Sequence, residues 1–388
     1  MSAAMSDSGP IYLDYNATAP AKPEVVEAVA DALALAGNPS SVHGFGRDVR
    51  KRIEDAREEI AALLGCAPPE LVFTAGGTEA NNTALRGAGR RALIVSAVEH
   101  PAVLRTAEAC ADELVVLPVD GDGLLDMAAL DAALAAHGPD ALVSVMLANN
   151  ETGVIQPVAE IAARARAAGA LVHCDAVQAP GRIRVSFAGL GIDMMSVAAH
   201  KFAGPKGIGA LVVRAGLEIA PLVTGGGQER GLRGGTENAA GIVGFGRAAA
   251  LAHDDLARAG EIAAMRDRLE ARLRETEPAV VVFSEGAARL PNTSCVTMPG
   301  VQSETQVMGL DLAGVAVSAG SACSSGRVEA SHVLRALGAS DAVGGCAIRV
   351  STGWATTGDE IERFLGAWRA LYAGLTNRWK AGVSAAAG

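Results

Sequence analysis

From about residue 71 the chain alternates short apolar, β-branched runs with longer stretches in which apolar residues return every three or four positions. The runs LVFT, ALIVS, LVVLPV, ALVSVML, ALVHCD, IDMMSV and GALVVR predict seven strands. Between them, segments such as PVAEIAARARAAG carry helical spacing and stop at glycine. Strand and helix in repeated alternation predict βα units and a largely parallel sheet, an α/β architecture. That organisation ends near Arg214.

After a glycine-rich stretch at 225 to 235, one helical pattern of about 35 residues runs through HDDLARAGEIAAMRDRLEARLRE, long enough to carry the chain from one domain to another. The boundary is placed at Arg258. The remainder alternates predicted strands (VVVFS, TSCVTM, AVSA, AIRVS) with helices ending in EIERFLGAWRALYAG, the pattern of a small α+β domain. The expected division is a large domain at 15–258 and a small one from 1–14 and 259–388.

The bulk properties narrow the function. At 388 residues the chain exceeds the usual size of one hydrophobic core, and it is half hydrophobic and one fifth charged, as soluble globular proteins are. The net charge of -10 with no dense Lys/Arg stripe argues against nucleic acid as a partner and favours a small molecule or a protein. MSAAMSDSGP lacks a basic region followed by an apolar core, and no run of 18 apolar residues occurs, so a cytoplasmic protein without a membrane span is expected. The cysteines Cys66, Cys110, Cys174, Cys295, Cys323 and Cys346 form no CxxC pair and no zinc spacing. Those in LVHCDAV, NTSCVTM and GGCAIRV have strand-like, apolar neighbours.

Several segments carry candidate chemistry. Lys201, in SVAAHKFAGPKGIGALVV, follows a predicted strand; a desolvated lysine there can form a Schiff base with an aldehyde cofactor, or it is a solvated turn residue. Asp175, at the end of LVHCD, can pair with a protonated pyridine nitrogen or cap a helix. Gln178, one turn on, could donate to a phenolic oxygen of such a ring. FTAGGTEANNTAL passes through Gly76, Gly77 and Thr78 into a helix, a turn able to cradle a phosphate or simply to connect two elements. His100 in SAVEHPAV could lie over an aromatic ring and exchange protons, or be a satisfied histidine at a helix start. Asn149 and Asn150 end the strand before Asp175 and could bond a ring oxygen or substrate. Cys323 lies in SAGSACSSG, unlike the other cysteines, where a thiol can swing between donor and acceptor, lack a role, or serve as a lone hydrolase nucleophile.

In combination these segments resemble the cysteine desulfurases of the class V aminotransferase group, fold type I among pyridoxal 5'-phosphate enzymes. The resemblance runs from IYLDYNATAP through NPSSVHGFGR to IRVSTG, by way of AGGTEANN, EHP, NNETGVIQP, HCDAVQ, AHKFAGPKG, GGGQERGLRGGTEN, LPNTS and SAGSACSSG. It implies a large domain with a mostly parallel seven-stranded sheet and pyridoxal 5'-phosphate bound on Lys201. His100 would stack on its ring, Asp175 and Gln178 would hold the ring nitrogen and phenolic oxygen, and Asn150 would sit beside the ring. Gly77, Thr78 and His200 would hold the phosphate, with Thr236 reaching the phosphate of a neighbouring subunit in a homodimer. Arg349 would clamp the carboxylate of L-cysteine, and Cys323 would take its sulfur as a persulfide for an acceptor or scaffold protein of iron–sulfur cluster assembly. Relatives commonly carry serine three residues before the Schiff-base lysine, where this chain has Ala198. The loop motifs are closer to the NifS-like branch. A selenocysteine lyase, an ordinary aminotransferase or a non-catalytic sulfur-assembly scaffold are the competing readings, and the lysine and cysteine together argue for desulfuration.

Overall fold

The structure, a computed structural model, describes residues 9–320 and 331–386. After a short β1 (Ile11–Tyr12), seven strands form one sheet: β2 (Leu71–Thr74), β3 (Ala92–Ser96), β4 (Glu113–Leu117), β5 (Ala141–Ser144), β6 (Leu171–Asp175), β7 (Met194–Ala198) and β8 (Gly209–Val213). Their order is β2-β8-β7-β6-β5-β3-β4. Each of the seven expected runs holds one of them. The pairs from β4 to β7 are parallel, while β8 runs antiparallel to both β2 and β7.

Helices on both faces explain why these runs are apolar along their whole length. Successive residues point to opposite faces, so Ile94 and Val143 join one core with Ile53, Ile60, Ile242 and Phe245, while Leu93, Val95 and Leu142 join another with Ala80, Ala84 and Leu85. Only the edge strand β4 departs, leaving Leu114 and Val116 exposed. The strand order reverses at β3, which has β4 on one side and β5 on the other. In open α/β sheets such a reversal opens a crevice beyond the carboxyl ends of the strands.

A second core lies outside this sheet. β9 (Thr293–Thr297), β11 (Ser318–Ala319) and β12 (Ala347–Ser351) make an antiparallel sheet in the order β11-β12-β9, and β10 (Val315–Ala316) pairs in parallel with β1. Ile11, Leu13, Val296, Ile348, Val350, Phe364 and Trp368 pack together here. The N-terminal segment is thus built into a core whose other members follow residue 268.

Two expectations need correction. VVVFS is not a strand: only Val282 bridges to Val296, because Ser284 takes a left-handed conformation (φ 61°) and turns the chain. The long helical pattern is two helices, Ala239–Ala257 and Ala259–Thr276, since Arg258 between them leaves helical geometry (φ -90°, ψ 1°).

Candidate active site

The crevice holds a cavity of about 410 Å³ lined by Asn16, Gly77, Thr78, Asn81, His100, Asn150, Asp175, Gln178, Ala198, His200, Lys201, Gly320, His332 and Arg349, among others. Parallel strands bring these groups together by ending at one level. His100 follows β3, Asn150 follows β5, Asp175 closes β6, and Lys201 sits in the 3-10 turn Ala199–Phe202 after β7. That turn leaves through Ala203 in the left-handed region (φ 66°), a costly conformation for a residue with a Cβ.

Lys201 Nζ donates to the carbonyls of Asn16 (2.7 Å) and Ala17 (3.0 Å). Burial, then the positive charges of Arg182 and Arg349, push its pKa down to about 7, against the opposing pull of Asp175 and Asp14. About half of the amine is therefore free base at neutral pH, far more than for an ordinary lysine. Asp175 is buried; its Oδ2 accepts from Asn81 Nδ2 (2.7 Å) and its Oδ1 from the Val177 amide (3.0 Å). These bonds fix the carboxylate plane.

His100 caps the helix Pro101–Cys110, its Nδ1 accepting from the Ala102 amide at 3.1 Å. An accepting Nδ1 leaves the ring proton on Nε2. Desolvation and the charge of Lys201 lower its pKa, although Asp175 pulls the other way. His200 Nδ1 lies 3.2 Å from Thr18 Oγ1, and burial with Lys201, Lys206 and Arg182 nearby brings its pKa to about 4.

The helix Gly77–Gly87 starts with no side chain capping it, so its first amides point unpaired to the cavity edge. A Cβ on Gly77 would lie 2.8 Å from Val177 Cγ2, so any larger residue in this close turn would have to displace that side chain. Gly77, Thr78 and His200 also border an adjoining groove with Lys206, Leu222 and Val223. An anion would meet amide, hydroxyl and imidazole donors there. Ala198 lies beside Gly77 and contributes no hydroxyl.

Arg349, on β12, closes the opposite wall. It donates to the Asn150 carbonyl (3.0 Å) and to Asp14 Oδ1 (2.7 Å), and its buried Nε has no partner among the described residues. Gln178 donates from Nε2 to the Asn16 carbonyl (3.0 Å).

Three expected residues stand apart. Asn149 faces away, spending its side chain on the Val98 carbonyl and on the amides of Glu151 and Thr152, which fold the NNETG turn. Thr236 is exposed and borders a different cavity of its own chain, with Glu229 and Arg233. Cys323 lies outside the described residues, although Gly320 and His332, on either side of that gap, both line the main cavity.

Other members of the site carried no legible signal. Asn16 donates to the Asn150 carbonyl and to Thr293 Oγ1, joining the two walls. Glu151 is buried, accepts from Ser331 Oγ (2.5 Å), and has its pKa raised to about 7 by desolvation. Arg182 lies behind Lys201. Asn16 stands in IYLDYNATAP and Glu151 in NNETGVIQP, whereas Arg182 falls outside every motif; which polar groups are buried is not written in a motif.

Comparison with known proteins agrees with this geometry. The pattern of the family described as Aminotransferase class-V matches residues 11–364. A cysteine desulfurase of Cereibacter sphaeroides is 46% identical over 92% of this chain and 94% of its own length, and one of Trichormus azollae is 44% identical over 92% and 91%. The structure of a NifS-like protein from Rickettsia africae superposes with a TM-score of 0.87 at 35% identity, covering 94% of this chain and 99% of that one. A structure titled SspA in complex with cysteine superposes at 0.75 with 33% identity, over 88% and 99%. A lysine and a carboxylate facing one cavity at the ends of parallel strands, together with these matches along nearly the full length, place the chain in the aminotransferase class-V family, among its cysteine desulfurase-like members.

Proposed function

We infer that this protein is a pyridoxal 5'-phosphate-dependent cysteine desulfurase, converting L-cysteine to L-alanine and leaving the sulfur as a persulfide on Cys323. The observation that carries the reading is the placement of Lys201, with its lowered pKa, in one cavity with Asp175 and an uncapped helix N-terminus. The residues present fit the cofactor: Lys201 as covalent anchor, Asp175 for the ring nitrogen, Gln178 for the phenolic oxygen, His100 and Asn150 beside the ring, and Gly77, Thr78 and His200 for the phosphate. When bound, the cofactor supplies an aldehyde for attachment and an electron sink for the charge left at the substrate Cα.

The chain's own groups do the rest. Arg349 binds the cysteine carboxylate through its planar fork, and Asp14 holds that fork in place. Lys201, free as the neutral amine, accepts the Cα proton and returns it. His100, neutral at Nδ1, holds or passes a proton at Nε2. The Cys323 thiolate attacks the substrate sulfur; the S–S bond forms as the C–S bond breaks, and the carbon takes up a proton to become the methyl of alanine. Atoms and electrons balance with no external oxidant.

Within this proposal the enzyme is a homodimer whose Thr236 reaches the neighbouring phosphate, supported by its exposure and by the exposed Leu222 and Val223 on the groove beside Gly77 and Thr78. The domain division at 14/15 and 258/259 belongs to it too, as does delivery of sulfur to an iron–sulfur cluster scaffold. A reducing, cytoplasmic setting is supported by the free cysteines of the described residues. No helix among them is long and apolar enough to cross a membrane.

Incubation with L-cysteine, with alanine and protein-bound persulfide quantified, tests the reaction. The parent forms both, with persulfide mapping to Cys323. Cys323→Ala keeps cofactor and substrate binding but loses alanine production; alanine release at the parental rate would refute the assignment. Sedimentation showing a fully active monomer would refute the shared site.

A further inference from the structure

Arg182 presents a charge with no counterion. Its side chain is almost fully buried, and no carboxylate forms an ion pair with it among the described residues. Every acceptor is a neutral carbonyl. Nη1 donates to the backbone oxygen (3.1 Å) and to the side-chain Oε1 of Gln178, and Nη2 donates to the carbonyls of Tyr15 (3.1 Å) and Lys201 (3.2 Å). A buried cation left without an anion is unfavourable, so a position that keeps one is doing something with the charge.

What the charge faces is the working end of the site. Because the guanidinium can only donate, the atom of Gln178 it grips must be the oxygen, and the amide nitrogen is turned away from it. That nitrogen donates to the Asn16 carbonyl, the same oxygen that receives Lys201 Nζ. Arg182 thus ties the segment at 15–17, the turn after β6 and the turn after β7 to one another. The other charged and titratable groups acting on Lys201 are Arg349 from β12, Asp175 from β6, Asp14, His100 and its neighbour His200. Of the two cations that depress the Lys201 amine, Arg182 has the larger effect.

We propose that Arg182 is a positioning residue of this reaction: its buried cation, bonded to the Lys201 carbonyl, sets the electrostatic surroundings of the Lys201 amine, and its grip on Gln178 Oε1 fixes that amide with its donor side toward Asn16 and the cavity. Its side chain does not line the main cavity, and it acts through Lys201 and Gln178. The inference deepens the assignment of Lys201 as anchor, yet the property it predicts belongs to the protein alone.

The test uses the cofactor-free full chain. Competitive labelling with acetic anhydride across pH, with the Lys201 peptide quantified by mass spectrometry, reads the titration of this amine directly. The parent should titrate near 7. Arg182→Met should raise the midpoint by about one unit or more, while Arg182→Lys, which keeps the charge, should hold it close to the parent. Arg182→Gln, which removes the charge but keeps an amide able to donate to the same carbonyls, should raise the midpoint in the same way and keeps the test usable if the Met variant fails to fold. A midpoint unchanged in either charge-removing variant that folds overturns the proposal. If cofactor is never trapped on Lys201 while these shifts occur, the functional reading fails and the role of Arg182 stands.

Discussion

The two walls of the cavity are built differently. On the large-sheet wall His100, Asp175 and Gln178 each have a partner close in sequence, the amide of Ala102, the amide of Val177 and Arg182, while Asn81 reaches Asp175 and the carbonyls of Asn16 and Ala17 reach Lys201 from afar. On the opposite wall the partners are remote. Arg349 meets Asp14, Asn16 donates its amide to Ser351 Oγ and its side chain to Thr293 Oγ1, and Glu151 accepts from Ser331. The first wall is a property of strand ends in one sheet. The second exists only once β1, β9 and β12 have assembled into the second core, and so the site's completion depends on how the two cores meet.

Variants on each wall sharpen that contrast. The largest effect is expected on the sheet wall: Lys201→Ala should lower turnover by about 10³-fold or more and abolish borohydride trapping at this peptide, with the fold retained. Label appearing on Lys206 instead would reassign the anchor.

On the opposite wall, Arg349→Lys should raise KM for L-cysteine by about 10²-fold, because the ammonium keeps the charge but loses the planar fork that spans Asp14 and the substrate carboxylate. Steady-state kinetics decides it; a loss confined to kcat would place Arg349 in the chemical step rather than in substrate capture.

Beneath the sheet wall, His173 is fully buried between Ser144 Oγ (2.8 Å) and Ser196 Oγ (2.9 Å), and burial brings its pKa down to about 4 while Asp175 opposes this. An unfolded histidine titrates near 6.5, so between these values the unfolded chain binds a proton that the folded one refuses. Stability is therefore full above about pH 6.5 and is lost as pH falls toward 4, by about 3 kcal/mol at the limit. Denaturant midpoints at pH 7 and pH 5 should show this loss in the parent and less of it in His173→Gln. Equal losses in the two would show that other groups govern acid sensitivity.

The smallest effect is expected far from either wall. Cys110→Ser, at a partly exposed helix end, should change stability by less than about 0.5 kcal/mol and leave activity unchanged. A marked loss of persulfide in this variant would mean that Cys323 is not the sole acceptor.

The pattern of apolar runs by itself determined the seven-stranded sheet, because a strand covered on both faces must be apolar throughout and leaves its mark in local composition. The motifs on its strand ends marked His100, Asp175, Gln178 and Lys201; the first three each have a partner only a few positions away, whereas the Lys201 amine is held by the distant carbonyls of Asn16 and Ala17. Where hydrophobicity alone was followed, VVVFS misled, since the turn at Ser284 depends on packing and not on the run itself. Asn149 misled in the same manner, because which of two adjacent asparagines folds the turn and which faces the cavity is a matter of tertiary direction. The Arg349–Asp14 pair, the Asn16 carbonyl shared by Lys201 and Gln178, and the stranded charge of Arg182 were decided only by the tertiary structure. Proton affinity and hydrogen-bond direction depend on which groups share a low-dielectric space, and chain positions as far apart as 14 and 349 come to share it only when both cores have formed.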